Sequence, residues 1–239
     1  MIVKSPDRSI LFRSRIPWEG ELCNFMSLVE CDIIPSEHVA YLTLNDPTHR
    51  NIISSALLDD FEACLNQLST NQSVRVIVVR ATGPVFSAGH DLNEIPDKNP
   101  YEVFDLLSRF AQTMRVMRAM PQIVIAEVSG IAAAAGCQLV AAADLAIAGD
   151  TALFSTPGVK IGLFCAVPSV YVARNVPRKK TAELLFTGEF ISASDALESG
   201  LINHVVPAEK LAETTRSLAG RVARQSLSAI EATKRSLYA

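Results

Sequence analysis

Between Ile123 and Ala148 the chain is almost wholly apolar, and Gly130 to Gly149 reads GIAAAAGCQLVAAADLAIAG. A stretch of this length can cross a bilayer. Glu127, Gln138 and Asp144 interrupt it, which marks it as a buried core segment and not a membrane span. Small residues in such number let backbone approach closely whatever lies against them. The fold must therefore supply a layer on each side of this segment, or a ligand.

The flanking segments supply layers. His38 to Asp46, HVAYLTLND, alternates as a half-buried strand and closes on a turn signal. SALLDDFEACLNQLS sets Leu57, Leu58, Phe61, Leu65 and Leu68 on one helical face, with Ser54 or Ser55 as its cap. Val74 to Ala81 is a β-branched run suited to a buried strand. TGPVFSAGHDL follows as a loop. The spacing of Val103, Phe104, Leu107, Phe110, Met114 and Met117 predicts a helix from Tyr101 to Met120, stopped by Pro121.

IVIAEVSG reads as the next strand, the small-residue run as a helix, and LAIAG as a short strand. ALFSTPGVKIGLFCAVPS is loop-rich, and from Lys179 the pattern is helical, broken at Gly188, Gly200 and Pro207. Strands and helices alternate, which predicts an α/β fold with right-handed crossovers. Residues 1–35 show no clean period and read as an N-terminal arm or extension. Residues 36–239 read as one domain with a short C-terminal helical tail. The first eighteen residues are basic on balance and contain serines, as in part of a transit peptide, but Pro6 and Pro17 interrupt any helical face.

A net charge of -3 gives no general attraction to nucleic acid or to an anionic membrane. The five cysteines, Cys23, Cys31, Cys64, Cys137 and Cys165, form no close pair, which argues against a disulfide framework and a structural zinc site. A reducing compartment, mitochondrial or cytoplasmic, fits this usage better than secretion. The four histidines show no metal-ligand spacing, so no metal is expected.

Four segments occur in an order that resembles the crotonase (enoyl-CoA hydratase/isomerase) superfamily, from about residue 38 to the end. LNDPTHRN resembles its L-N-x-P-x-x-x-N turn, and FSAGHDL its F-x-A-G-x-D-L loop. VSGIAAAAGCQL resembles V-N-G-x-A-x-G-G-G-x-x-L, and LLFTGEFISASDALESGLINHVVP resembles the long block that ends V-V-P. Within the superfamily, AAAAGCQLVA, TPGVKIGLFC and VPRK are most similar to the enoyl-CoA hydratase domain-containing protein 3 group. The resemblance implies a crotonase fold of repeated ββα units with a C-terminal helical region. It also implies trimers or pairs of trimers, and an acyl-CoA thioester as ligand with no further cofactor.

A thioester carbonyl on its way to an enolate needs two fixed N–H donors aimed at its oxygen. A loop amide and the open N–H groups of a helix start serve this purpose. By motif matching, the resemblance implies that the donors are the amides of His90 and Ala135. It places the nucleotide end of CoA along His90, Asp91, Leu92 and Asn93, with Arg50 near its phosphates.

The departures from the family pattern are sharper still. Its hydratases use two glutamates, one to activate water and one to protonate the carbon next to the carbonyl. Matching puts Gln138 and Gly158 at those two positions. Glutamine cannot take a proton near neutral pH and glycine has no side chain, so hydration of a simple enoyl-CoA is expected to be negligible. The aspartate that isomerases of this fold carry further along would fall near Ala166 and is missing. Naphthoate synthases of this fold share the glycine and the spacing to Lys160 and Phe164, but Cys165 stands where their aspartate follows. The remaining titratable candidates are His90, Cys137 and Cys165.

Three readings stay open on the sequence: an acyl-CoA enzyme of other chemistry, such as an isomerase or one with an external base; a non-catalytic acyl-CoA binder; and a structural subunit. The last arises because proteins of this fold usually continue past the equivalent of Ser236, Leu237 and Tyr238.

Overall fold

Val76, Ile77, Val78 and Val79 are each at most 1% exposed, so this strand is covered on both faces. That is why its sequence is a continuous β-branched run and not an alternating one. The structure, a computed structural model, describes residues 27–94, 100–163 and 165–239. The chain opens with β1 (Val29–Ile34), β2 (Val39–Leu44) and α1 (Ser55–Ser69). The next turn is β3 (Val76–Ala81), β4 (Val85–Ser87) and α2 (Pro100–Ala119). The next is β5 (Ile123–Val128), β6 (Ile131–Ala133) and α3 (Ala135–Ala142). Then come β7 (Leu145–Gly149), β8 (Leu153–Ser155) and α4 (Ala166–Asn175).

The ββα unit thus recurs along the chain, as the crotonase resemblance implies. A six-stranded sheet runs β1-β2-β3-β5-β7 and ends on β10 (His204–Val206). A four-stranded sheet runs β4-β6-β8 and ends on β9 (Ile191–Ser192). All neighbours are parallel except β1 with β2 and β8 with β9. At the β5–β6 corner Gly130 has φ +69°, and a Cβ there would lie 1.9 Å from the Pro84 carbonyl oxygen. Only glycine fits that corner.

The remaining helices are α5 (Arg178–Thr187), α6 (Ala193–Glu198), α7 (Leu211–Ala223) and α8 (Leu227–Tyr238). The main core lies between the two sheets and α1 to α3. A second core is built from Val39, Val76, Val78, Ile125 and Ile147 against Leu211, Leu218 and Ala219 of α7. The helix read at Ser55 is present, with Ser54 accepting from the Leu57 amide.

Three features differ from the sequence reading. The arm read over residues 1–35 is corrected at its end, because β1 pairs antiparallel with β2 from Val29 to Ile34. Its pattern hides because at the sheet edge Val29 alone is buried, while Glu30 and Asp32 are exposed and Cys31, Ile33 and Ile34 are partly buried. Second, the small-residue run is not helical from the start: Ile131–Ala133 is β6, and the helix begins at Ala135. Third, β8 to β10 are two or three residues each, too short for periodicity to register. The transit-peptide-like segment, Cys23 and Phe164 lie outside the described residues, as do the side chains of Val103 and Phe104.

At the C-terminal side, Lys234 of α8 is 3% exposed. It pairs with Asp144 at 2.7 Å and donates to the carbonyls of Met117 and Gln122. Asp144 also accepts from the Val124 amide and the Tyr238 hydroxyl. The Asp144–Lys234 pair thereby holds α8 against β5 and the end of α2.

Candidate functional site

The start of α3 is the organising feature. Ala134 precedes it with φ 49° and ψ −116°, a backbone state that alanine rarely adopts. The Ala134 amide donates to the Ser155 carbonyl at 2.9 Å, which fixes the helix start against the end of β8. Ala135 opens the helix, and its own amide has no acceptor among the described residues. The other end of α3 is closed, since Asn175 donates to the Ala141 carbonyl at 2.8 Å. The open donors are therefore at the N-terminal end, where the helix dipole is positive.

Strain at Ala134 has a testable consequence. A non-glycine residue in a sparsely populated state costs about 1–3 kcal/mol, partly offset by the smaller chain entropy that alanine loses on folding. Ala134→Gly is expected to stabilise the fold by about 1 kcal/mol, read as a rise of roughly 2–4 °C in Tm. A lower Tm for the variant would show that the alanine is not strained.

The loop after β4 meets this helix start. Gly89 has φ +99°, and a Cβ on it would lie 2.7 Å from the Ala134 Cβ and 3.2 Å from the Ala135 nitrogen. A Cβ on Gly136 would lie 2.5 Å from the Ser87 carbonyl oxygen, so helix and loop pack backbone to backbone. The Gly89 amide turns back to the Ser87 hydroxyl at 3.2 Å, and the Gly89 carbonyl accepts from Ile53 at 2.7 Å. That leaves the His90 amide, the next in the chain, without an acceptor among the described residues. The structure thus brings His90 and Ala135 into one place.

The His90 ring packs edge-on against Phe110, with centroids 5.0 Å apart, and its Nδ1 is buried without a partner among the described residues. Burial pushes its pKa below the ordinary 6.5, while the Ile53 backbone and Glu94 oppose this. The folded ring resists a proton that the unfolded chain accepts, so stability falls as pH drops below 6.5 toward the folded value. His90→Phe is expected to flatten unfolding free energy between about pH 7 and 5. Equal slopes in the two proteins would contradict this account of the ring.

The residues assigned to CoA are spread more widely. Asp91 accepts from the Asn93 amide at 2.9 Å, and Leu92 is exposed in a short 3₁₀ turn, Leu92–Glu94. Arg50 is exposed at the surface, but its carbonyl accepts from Ala88 at 3.1 Å, so its turn abuts the His90 loop. Asn51 is fully buried, accepting from Asp46 and donating to the carbonyls of Thr82 and Val85. Its role is to pin that turn.

Sequence reasoning missed one clamp. Glu94 accepts from both the amide and the hydroxyl of Ser55, at 2.8 and 2.6 Å, and so ties the loop to the start of α1. An acidic side chain suits a helix N-terminus, but the partners are 39 residues apart in sequence and only the fold joins them.

Gln138 is fully buried, and neither atom of its amide has a hydrogen-bond partner among the described residues. Buried polar groups are almost always bonded, so this amide is an exception that a water or a polar ligand group would satisfy. It lies one turn after Ala135, and helical side chains lean toward the N-terminus, which sets it over the open donors. Gly158 lies in the 3₁₀ turn Pro157–Ile161, three residues beyond Ser155. A Cβ there would lie 2.6 Å from the Cys165 sulfur. Cys137 is fully buried, and its thiol is pushed up to about 12 by burial.

Two ββα-built layers with an open helix start facing a glycine loop define a crotonase-type protein. The chain belongs to the enoyl-CoA hydratase/isomerase family, whose model matches residues 35–239.

Among curated relatives it is similar to enoyl-CoA hydratase domain-containing protein 3, mitochondrial. The human protein is 43% identical over 201 residues, covering 82% of this chain and 65% of the relative. The mouse protein is 41% identical over 198 residues, covering 82% and 66%. The chain thus spans just under two thirds of these relatives. The crystal structure of the human protein matches with a TM-score of 0.85 at 39% identity, covering 88% of this chain and 83% of that one. An enoyl-CoA hydratase from Mycobacterium smegmatis matches with a TM-score of 0.85 at 39% identity, covering 88% and 82%.

Proposed function

We propose that this protein binds an acyl-CoA thioester, holds its carbonyl oxygen between the amides of His90 and Ala135, and does not hydrate simple enoyl-CoA. The observation that carries the reading is a pair of donors, at the meeting of the Gly89 loop and the start of α3, that have no acceptor among the described residues. Two such donors stabilise an oxyanion most strongly when they are fixed in advance. The nucleotide end of CoA lies along Asp91, Leu92 and Asn93, with Arg50 as a charge-assisted partner for its phosphates. Gln138 donates to or accepts from the acyl group and moves no proton.

Neither Gln138 nor Gly158 offers a carboxylate, which favours as second reading a non-catalytic acyl-CoA binder in lipid metabolism. Family resemblance supports a homotrimer or a pair of trimers. The word mitochondrial in the names of the similar proteins supports that compartment. The test compares binding of an acyl-CoA with its thioether analogue, which lacks the carbonyl, and assays crotonyl-CoA hydration in the same preparation.

A further inference from the structure

We propose that the thiol of Cys165 carries the proton to and from the carbon next to the thioester carbonyl. The inference rests on the acyl-CoA reading above and adds to it the group that moves the proton.

Cys165 is half-buried just before α4, and its sulfur fills the space that a side chain at position 158 would occupy, 2.6 Å from the Cβ point. The turn that carries Gly158 leaves β8 directly after Ser155, the residue bonded to Ala134 at the donor end of α3. Cys165 adds to the upward push on the buried thiol of Cys137, on the first turn of α3, so the two lie close. Cys165 therefore belongs to the same small region as the open amides.

A cysteine alone would not define a site. The second observation is Gln138, fully buried with both amide atoms unpartnered and leaning over the same helix turn. Such an amide lacks the bonds that a polar group of a ligand would supply. His90, the other titratable candidate, turns its ring toward Phe110. Lys160, the charged residue of the Pro157–Ile161 turn, pairs outward with Glu189 at 2.7 Å.

The step balances without a further reactant. The Cys165 thiolate takes the proton from the carbon, the C–H bond breaks as the S–H bond forms, and the electron pair moves onto the carbonyl oxygen. The two amides hold that oxyanion, and the reverse step returns the proton to carbon. Burial pushes the Cys165 thiol up, with the Gly158 backbone opposing it. A thiolate formed there is scarcer but more basic, which suits a weak carbon acid. The rate should consequently climb with pH across the range where the thiol is mostly protonated.

The full chain is incubated with butyryl-CoA in deuterated water between about pH 6 and 9, and exchange at that carbon is followed by NMR. Wild type is expected to exchange it with a rate rising about tenfold per pH unit. Cys165→Ser, which keeps the size of the side chain, should lose at least about 100-fold of the rate while thermal shift still reports butyryl-CoA binding. Cys165→Ala should show the same split. Exchange at the wild-type rate in Cys165→Ser, a rate independent of pH, or binding with no exchange in wild type would each overturn the proposal and leave the acyl-CoA reading standing. Failure of the wild type to bind butyryl-CoA would overturn both.

Discussion

Lys234→Met is expected to lower Tm by roughly 10 °C or more, because removing one partner of a buried ion pair costs about 3–5 kcal/mol. The ammonium uses its three donors on Asp144 and on the carbonyls of Met117 and Gln122. Methionine fills the volume and leaves all three acceptors with less than they had. Asp144 keeps the Val124 amide and the Tyr238 hydroxyl, too little to offset an unpaired buried charge. Pairing the change with Asp144→Asn should recover part of the loss, since the stranded charge goes too. A drop under about 2 °C in the single variant would mean that α8 is held by Ile230 and its apolar neighbours instead.

Ala135→Pro tests the donor itself. Proline is tolerated at the first helical position, where the N–H bonds nothing within the helix. The substitution removes one hydrogen from the proposed oxyanion site, and because Ala134, at φ 49° and ψ −116°, lies outside the extended region that a residue before proline prefers, thermal melting is measured beside it. Exchange at the carbon next to the thioester is expected to fall by about 100- to 1000-fold, the usual cost of one such donor. Acyl-CoA affinity should fall at least tenfold while far-UV circular dichroism stays as in wild type. Unchanged affinity and exchange would remove Ala135 from the site.

How far the sequence carries the structure depends on the kind of residue. Long periodic segments were legible: Leu57 to Leu68 on α1, and Phe110, Met114 and Met117 on α2, are buried as their spacing requires. Short strands were not, because β6, β8 and β9 are paired by the fold and carry too few residues to show a period. The proposed oxyanion residues came from motif order, but the strained state of Ala134 did not, since alanine there gives no sign of a positive φ. Gln138 was visible as a departure from a carboxylate, while its lack of partners needed the packing around it. The Cys165 sulfur over Gly158 joins positions seven apart through a turn, and residue identities alone do not fix such a turn.

The central claim is that the thioester site is kept while the hydratase chemistry is not. Crotonyl-CoA offered to the purified chain tests both halves at once, with thermal shift for binding and loss of the enoyl absorbance for hydration. At a hundred times its dissociation constant the ligand should stabilise the fold by ~2.7 kcal/mol, a rise of roughly 5–10 °C, and the carbonyl-free thioether should do clearly less. Absorbance should stay at the rate of the buffer alone. Hydration at an ordinary enzymatic rate of ~1 per second or more, or no stabilisation by the thioester, would contradict the account.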